Sequence, residues 1–187
     1  MMSIDTYILQ TLFALREPHA VQVFIWISQF GEWYVTGGLA VVLALWLGMR
    51  ERFALAQGVI LAVATSAIGA VVIKTIVARP RPPMSFWAYT ETGFSFPSAH
   101  AAMSLAFYGF LVWMICRSGM SRLARYATGA VLSLLILAIG FSRLYLGVHY
   151  FSDVIGGYAV GAFCLWLSIW ATRTLQMRSA KRSEATS

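Results

Sequence analysis

The chain has 187 residues, enough for one domain. It is 59% hydrophobic, 14% aromatic and only 11% charged, with a mean hydropathy of +0.72; a soluble fold of this size cannot bury so much apolar surface, so the sequence reads as a polytopic membrane protein. The net charge of +7 sits at the ends of apolar runs rather than along a basic stripe with interleaved aromatics, which argues against a nucleic-acid partner and for membrane topology.

In chain order, residues 4–15 place Ile4, Tyr7, Ile8, Leu12 and Leu15 at helical spacing with Asp5 and Gln10 off the stripe, the pattern of an amphipathic interfacial helix. No basic n-region precedes it, so no cleavable signal peptide is expected and the mature chain should start near Met1. Pro18 suits the first turn of a second helix that runs to about Phe30 and stops at Gly31. This helix is short for a span, and His19 on it reads as an interfacial bystander. The first clear span is Trp33 to Met49, closed by Arg50-Glu51-Arg52; the second is Phe53 to Ala78, with a small-residue face at Ala62, Ser66, Gly69 and Ala70. Prolines 80, 82 and 83 break it, and the aromatics of the following loop (Phe86, Trp87, Tyr89, Phe94, Phe96) suit the headgroup level. Three more spans are predicted at Ser98–Cys116, Tyr126–Phe141 and Val154–Thr172, the last with Gly157 and Gly161 in a GxxxG pattern suited to packing on a neighbouring helix of the same chain. Cys116 and Cys164 read as buried thiols, without metal spacing or an expected disulfide.

The predicted fold class is therefore all-α, a membrane helical bundle of five to six transmembrane helices with interfacial amphipathic helices at the N-terminus. It forms one domain over 1–187, with its core at 33–173 and a polar tail at 174–187 that is expected to be disordered. With five spans, one side receives Arg50, Arg52, Arg117, Arg122, Arg125, Arg173, Arg178, Lys181 and Arg182, nine of the fourteen basic residues. By the positive-inside rule that side is cytoplasmic. Lys74, Arg79, Arg81 and Arg143 gather on the outer face against that bias, together with His100, His149 and Asp153.

Three stretches carry chemistry. Lys74 lies near the end of a span, where a lone cation is costly, and the prolines after Arg79 allow Arg81 to fold back toward it. Ser98 is a good N-cap for the third span, whose free first-turn N–H groups form an anion site with His100 beside it. In Ser142 to Asp153, His149 and Asp153 are four apart and share a face if helical, so the carboxylate can fix the imidazole tautomer while Arg143 offers a forked guanidinium. Taken singly, each stretch also fits a helix end anchored at the interface. Together they fit phosphoryl transfer in which one histidine attacks, the other handles the leaving-group proton, and cations and amides hold the oxygens. One carboxylate among three cations is a poor divalent-metal site, so no metal and no cofactor is expected.

Lys-x6-Arg-Pro at Lys74, Arg81 and Pro82, Pro-Ser-x-His at Pro97 to His100, and Ser-Arg-x5-His-x3-Asp at 142–153 resemble the tripartite signature of the PAP2 family, the type 2 phosphatidic acid phosphatases related to vanadium haloperoxidases. The resemblance covers residues 74–153 in order. It implies that His149 is the nucleophile of a phosphohistidine pathway, that Asp153 orients it, and that His100 is the acid and then the base. It further implies that Lys74, Arg81, Ser98, Ala99 and Arg143 hold the phosphoryl oxygens without a divalent metal. Two departures stand out: Ala99 replaces the usual glycine, and the count of spans is five where six is usual. The expected activity is hydrolysis of a lipid phosphate or pyrophosphate entering from the bilayer, with undecaprenyl pyrophosphate favoured over phosphatidylglycerophosphate, phosphatidic acid or lipid A phosphates. The expected place is a bacterial inner membrane with the site outward. A vanadate-dependent haloperoxidase and a non-catalytic lipid-phosphate binder or transporter are the rivals. Membrane embedding disfavours the first, and the complete His–His–Asp set disfavours the second.

Overall fold

The structure, a computed structural model, describes residues 3–184. Seven α-helices follow one another: α1 Ile4–Ala14, α2 Pro18–Gln29, α3 Trp33–Met49, α4 Phe53–Val77, α5 Ala99–Cys116, α6 Arg122–Tyr145 and α7 Phe151–Glu184, with a 3-10 turn at Met84–Phe86. Helices α4, α5, α6 and α7 are each long and apolar enough to cross a bilayer. α2 and α3 form a pair bent by 41° at a short break, so together they make a fifth, broken span or a re-entrant element. Residues 18–30 are thus half of a bent pair rather than a sixth full-length span.

α5 is the central helix, packed against α3, α4, α6 and α7. Its alanines let neighbours approach: Ala101, Ala102 and Ala106 are fully buried. Gly157 and Gly161 of α7 seat against the α5 backbone, where a Cβ on Gly161 would stand 2.5 Å from the Ala102 carbonyl oxygen. The GxxxG pair therefore packs within the chain, as its spacing predicts. Val59, Ala62, Phe107, Phe110 and Ile139 fill the core between α4, α5 and α6. The opposite faces, with Ile68, Val71 and Ile76 on α4 and Phe163, Trp166 and Trp170 on α7, are exposed and suited to lipid.

Four sequence expectations need correction. α6 is longer at both ends than Tyr126–Phe141, which places Arg143 in its last turn. α7 continues as helix to Glu184 where a disordered polar tail is expected, because residues 173–184 contain neither Gly nor Pro and several strong helix formers; residues 185–187 lie outside the described part. Cys164 is buried, but Cys116, at the end of α5, is exposed. The loop aromatics do not all face the headgroups: Phe86 stacks edge-on against Phe13 of α1 at 5.1 Å, and the Tyr89 hydroxyl turns inward to Arg143.

The connectivity brings the end of α4, the start of α5, the end of α6 and the start of α7 to one end of the bundle. α1 closes over that end through Asp5, which accepts from the Ser152 amide (2.9 Å) and hydroxyl (2.6 Å) and pairs with Arg79 at 2.9 Å. Arg50, Arg52, Arg117, Arg122 and Arg125 mark the other end of the helices.

Candidate active site

α4 stops because Ala78 takes a left-handed conformation (φ 47°) and prolines follow. The turn sends Arg79 to Asp153 and Arg81 to His149. Arg81 folds back as its position predicts. Its Nε donates to the Gly93 carbonyl (3.0 Å) and Nη2 to that of Thr92 (2.9 Å). Nη1 donates to the Val148 carbonyl (2.9 Å) and lies 3.1 Å from His149 Nε2. Lys74, at the end of α4, donates to the Phe94 carbonyl at 2.5 Å. Arg143 is fully buried; its Nη1 donates to Ser28 Oγ (2.6 Å) and to the Tyr89 hydroxyl, and its Nη2 pairs with Glu91. All three cations are thus aimed into the site by oxygens of the segment between Tyr89 and Ser95.

His149 does not lie on a helix with Asp153. Gly147 (φ +73°) ends α6 in a tight turn against the Phe86 backbone, where a Cβ would clash with the Phe86 carbonyl, and His149 sits in that turn just before α7. Asp153, in the first turn of α7, is nevertheless close: its Oδ2 is 3.5 Å from His149 Nδ1. The carboxylate is mainly occupied otherwise. It accepts from the Tyr150 amide (2.7 Å), the Ser95 hydroxyl and Arg79 Nη1 (2.7 Å), and Ser95 Oγ itself is 3.4 Å from His149 Nδ1. The Tyr150 bond is the backward half of a capping box, in which an acidic side chain in the first turn reaches the amide before the helix. Asp153 therefore fixes the start of α7 and the His149 ring together.

Ser98 caps α5, its Oγ accepting from the Ala101 amide at 3.5 Å, while its own N–H is spent on the Asp153 carbonyl at 2.9 Å. The amides of Ala99 and His100 belong to the first turn, which a helix leaves without intrahelical partners. The His100 ring is buried, and its Nε2 lies 3.0 Å from Glu32 Oε1. The structure thus gathers every residue singled out in the sequence at one end of the bundle.

Burial pushes the His149 imidazole well below its ordinary value, and Arg143, Arg81 and Lys74 push it further the same way. It is neutral at ordinary pH, with Nδ1 toward Ser95 and Asp153 and the Nε2 lone pair toward the guanidinium of Arg81. Burial alone would raise Glu91, but Arg143 and Arg81 overcome it and hold that carboxyl at about 2. Glu91 thus places an anion among these cations.

Glu91, Tyr89, Ser95, Asp5 and Glu32 are the site residues that sequence reasoning misses, and Arg79 is placed at the outer face without a role. They belong to turns and to α1, where no periodicity marks them. Two signals point to Glu91 and Glu32: they are among only seven acidic residues, and both lie outside the predicted spans at the outer face.

Residues 54–177 match the PAP2 superfamily. The chain is 36% identical over 144 residues to decaprenylphosphoryl-5-phosphoribose phosphatase of Mycobacterium tuberculosis, covering 73% of this chain and 71% of that one. It is 30% identical over 100 residues to phosphatidylglycerophosphatase B of Bacillus subtilis, covering 51% and 47%. Its fold is that of the crystal structure of a transmembrane PAP2-type phosphatidylglycerolphosphate phosphatase from Bacillus subtilis, at a TM-score of 0.83 and 23% identity over 91% of this chain and 85% of that one. The chain spans about half the length, or less, of several curated relatives that it matches.

Proposed function

Because this chain belongs to the PAP2 superfamily, we propose that it is an integral-membrane lipid phosphatase that transfers the phosphoryl group to His149 and then to water. The observation that carries this reading is the placement of His149 Nε2, in a buried turn, 3.1 Å from Arg81 Nη1. A neutral imidazole nitrogen facing a guanidinium is where an anionic phosphorus centre would be held for attack. Nε2 forms the bond to phosphorus as the bond to the leaving oxygen breaks. Lys74, Arg81, Arg143, the Ser98 hydroxyl and the free amides of Ala99 and His100 hold the phosphoryl oxygens through that step. His100 gives the leaving oxygen a proton, then takes one from the water that cleaves the phosphohistidine, restoring neutral His149. Asp153 and Ser95 hold Nδ1 and stabilise the positive charge that develops on the ring.

The same geometry supports chemistry without a divalent metal. Lys74, Arg81 and Arg143 would answer the charge on the phosphoryl oxygens, and the Asp153 carboxylate is taken up by Arg79, Ser95 and the Tyr150 amide. An apolar groove lies between α4 and α7, lined by Gly69, Ile73, Val160 and Phe163, and Ile73 precedes Lys74 on α4. It suits the chain of a lipid entering sideways. The relatives named for polyprenyl and glycerophosphate lipids support that class, with undecaprenyl pyrophosphate as the favoured substrate and phosphatidylglycerophosphate as the second reading. The basic far end of the helices supports a site on the outer face of a bacterial cytoplasmic membrane.

The test is phosphate release by purified protein in detergent with EDTA present. The substrates are undecaprenyl pyrophosphate, phosphatidylglycerophosphate, phosphatidic acid and a lipid A phosphate. Wild type is expected to release phosphate, with undecaprenyl pyrophosphate the best substrate, and folded His149→Ala to release none. A requirement for added Mg²⁺ would refute the metal-free step, and release by His149→Ala within tenfold of wild type would remove the nucleophile.

A further inference from the structure

The turn between α2 and α3 lies outside the three motifs, yet it forms a wall around His100. Arg143 donates to Ser28 Oγ at 2.6 Å, and the Tyr108 hydroxyl of α5 donates to the Phe30 carbonyl at 2.8 Å. At Gly31 the backbone comes so close to the site that a Cβ would stand 2.6 Å from Ile139 Cγ2 and 3.2 Å from His100 Cδ2. Glu32 then occupies the N-cap position of α3. Its carbonyl accepts from the Thr36 amide and hydroxyl, each at 2.9 Å, which fixes its backbone. An acidic residue at that position normally serves its own helix. The Glu32 carboxylate does not: it makes no capping bond and is turned instead to His100, with Oε1 3.0 Å from Nε2. Nε2 is buried and has no aligned hydrogen-bond partner among the described residues, so Glu32 is its charge partner although it lies off the ring N–H axis.

We propose that Glu32 is a positioning residue for His100, holding the protonated ring through Nε2 so that the proton for the leaving oxygen comes from Nδ1. The site then carries two acid–imidazole pairs, Asp153 with the attacking histidine and Glu32 with the proton-donating one. As the bond from phosphorus to the leaving oxygen breaks, the Nδ1 proton passes to that oxygen; Nε2 keeps its proton and Glu32 stays ionised. The α2–α3 break thereby carries a carboxylate into the bundle at the level of the first turn of α5.

This inference rests on the reading of His100 as the acid, and the test separates the two. The constant kcat/KM, which reports the first step and not the cleavage of the phosphohistidine that both substrates share, is measured on phosphatidic acid, whose alkoxide needs a proton to leave, and on 4-nitrophenyl phosphate, whose phenolate does not. The variants are Glu32→Gln, His100→Ala and the double variant, with melting temperatures confirming folded protein. Glu32→Gln is expected to lower kcat/KM on phosphatidic acid roughly tenfold or more, a part of the ~10²–10⁴-fold worth of an acid catalyst. On the nitrophenyl ester it should lower kcat/KM less than about threefold, with no further loss when added to His100→Ala. Equal losses on both substrates, or a loss that adds to that of His100→Ala, would make Glu32 merely structural and overturn the proposal. If His100→Ala itself shows no leaving-group selectivity, the acid assignment fails, and the role of Glu32 fails with it for that separate reason. Should Glu32→Gln not fold, Glu32→Asp, which keeps the charge but shortens its reach, is expected to show the same selective loss in weaker form; equal losses on both substrates would again overturn the proposal.

Discussion

The titratable residues at the site are set largely by partners that lie far from them in the sequence. Asp153 illustrates this, since its carboxylate is shared among the Ser95 hydroxyl, the Tyr150 amide and Arg79. Glu91 is the sharpest case, because its charge is held in place by Arg143 and Arg81. Its folded value of about 2 lies below its ordinary 4.5, so the stabilisation it supplies is complete above about pH 4.5 and is lost as pH falls toward 2. The melting temperature of wild type is therefore expected to exceed that of Glu91→Gln by a steady margin above pH 4.5, and the margin should shrink between pH 4.5 and 2. A margin independent of pH over that range would show that Glu91 does not pair with the arginines. His149, His100, Lys74, Arg81 and Arg143 are legible in the sequence because each lies in a short stretch whose local spacing already suggests chemistry. Glu91, Glu32 and Ser95 are not, since each meets its partner only after the chain has folded back across tens of residues.

At the scale of elements, the helices are legible where hydropathy and proline or glycine punctuation coincide, as at Val77 and Ser98. They are misjudged where punctuation is absent. α6 runs on through Ser142 and Arg143, and α7 runs on past Thr172, because polar residues alone do not stop a helix. The α2–α3 break is visible at Gly31, but its bend toward the site is not, since that depends on the close approach of Gly31 to Ile139 and His100. The α5–α7 contact offers a direct check. A side chain at Gly161 would be driven into the Ala102 backbone, which cannot yield as a flexible side chain can. Gly161→Leu is expected to force the two helices apart, lowering the melting temperature by several degrees and also lowering turnover, because the Ser98 amide is tied to the Asp153 carbonyl across the same interface. Unchanged stability would mean that the helices do not pack at this distance.

Across the whole molecule, the bundle sorts charge by end. One end carries exposed arginines of the ordinary topological kind, and the other gathers Lys74, Arg81 and the fully buried Arg143 with two histidines and the carboxylates of Asp5, Glu32, Glu91 and Asp153. Burial of that much positive charge is unfavourable unless anions answer it. Here Glu91, Asp153 and the carbonyls of residues 92–95 do so. A phosphate entering from the bilayer would meet the same cations, which makes transfer to His149, rather than binding alone, the central claim. The measurement that tests it most directly is trapping of the phosphorylated enzyme. Radiolabelled 4-nitrophenyl phosphate is mixed with wild type, His100→Ala and His149→Ala; each reaction is quenched in alkali, where phosphohistidine survives, and the label is mapped. Label is expected on His149, accumulating in His100→Ala because the second step has lost its base, and none in His149→Ala. Turnover by wild type with no labelled histidine in any variant, or label that persists in His149→Ala, would contradict transfer to that residue.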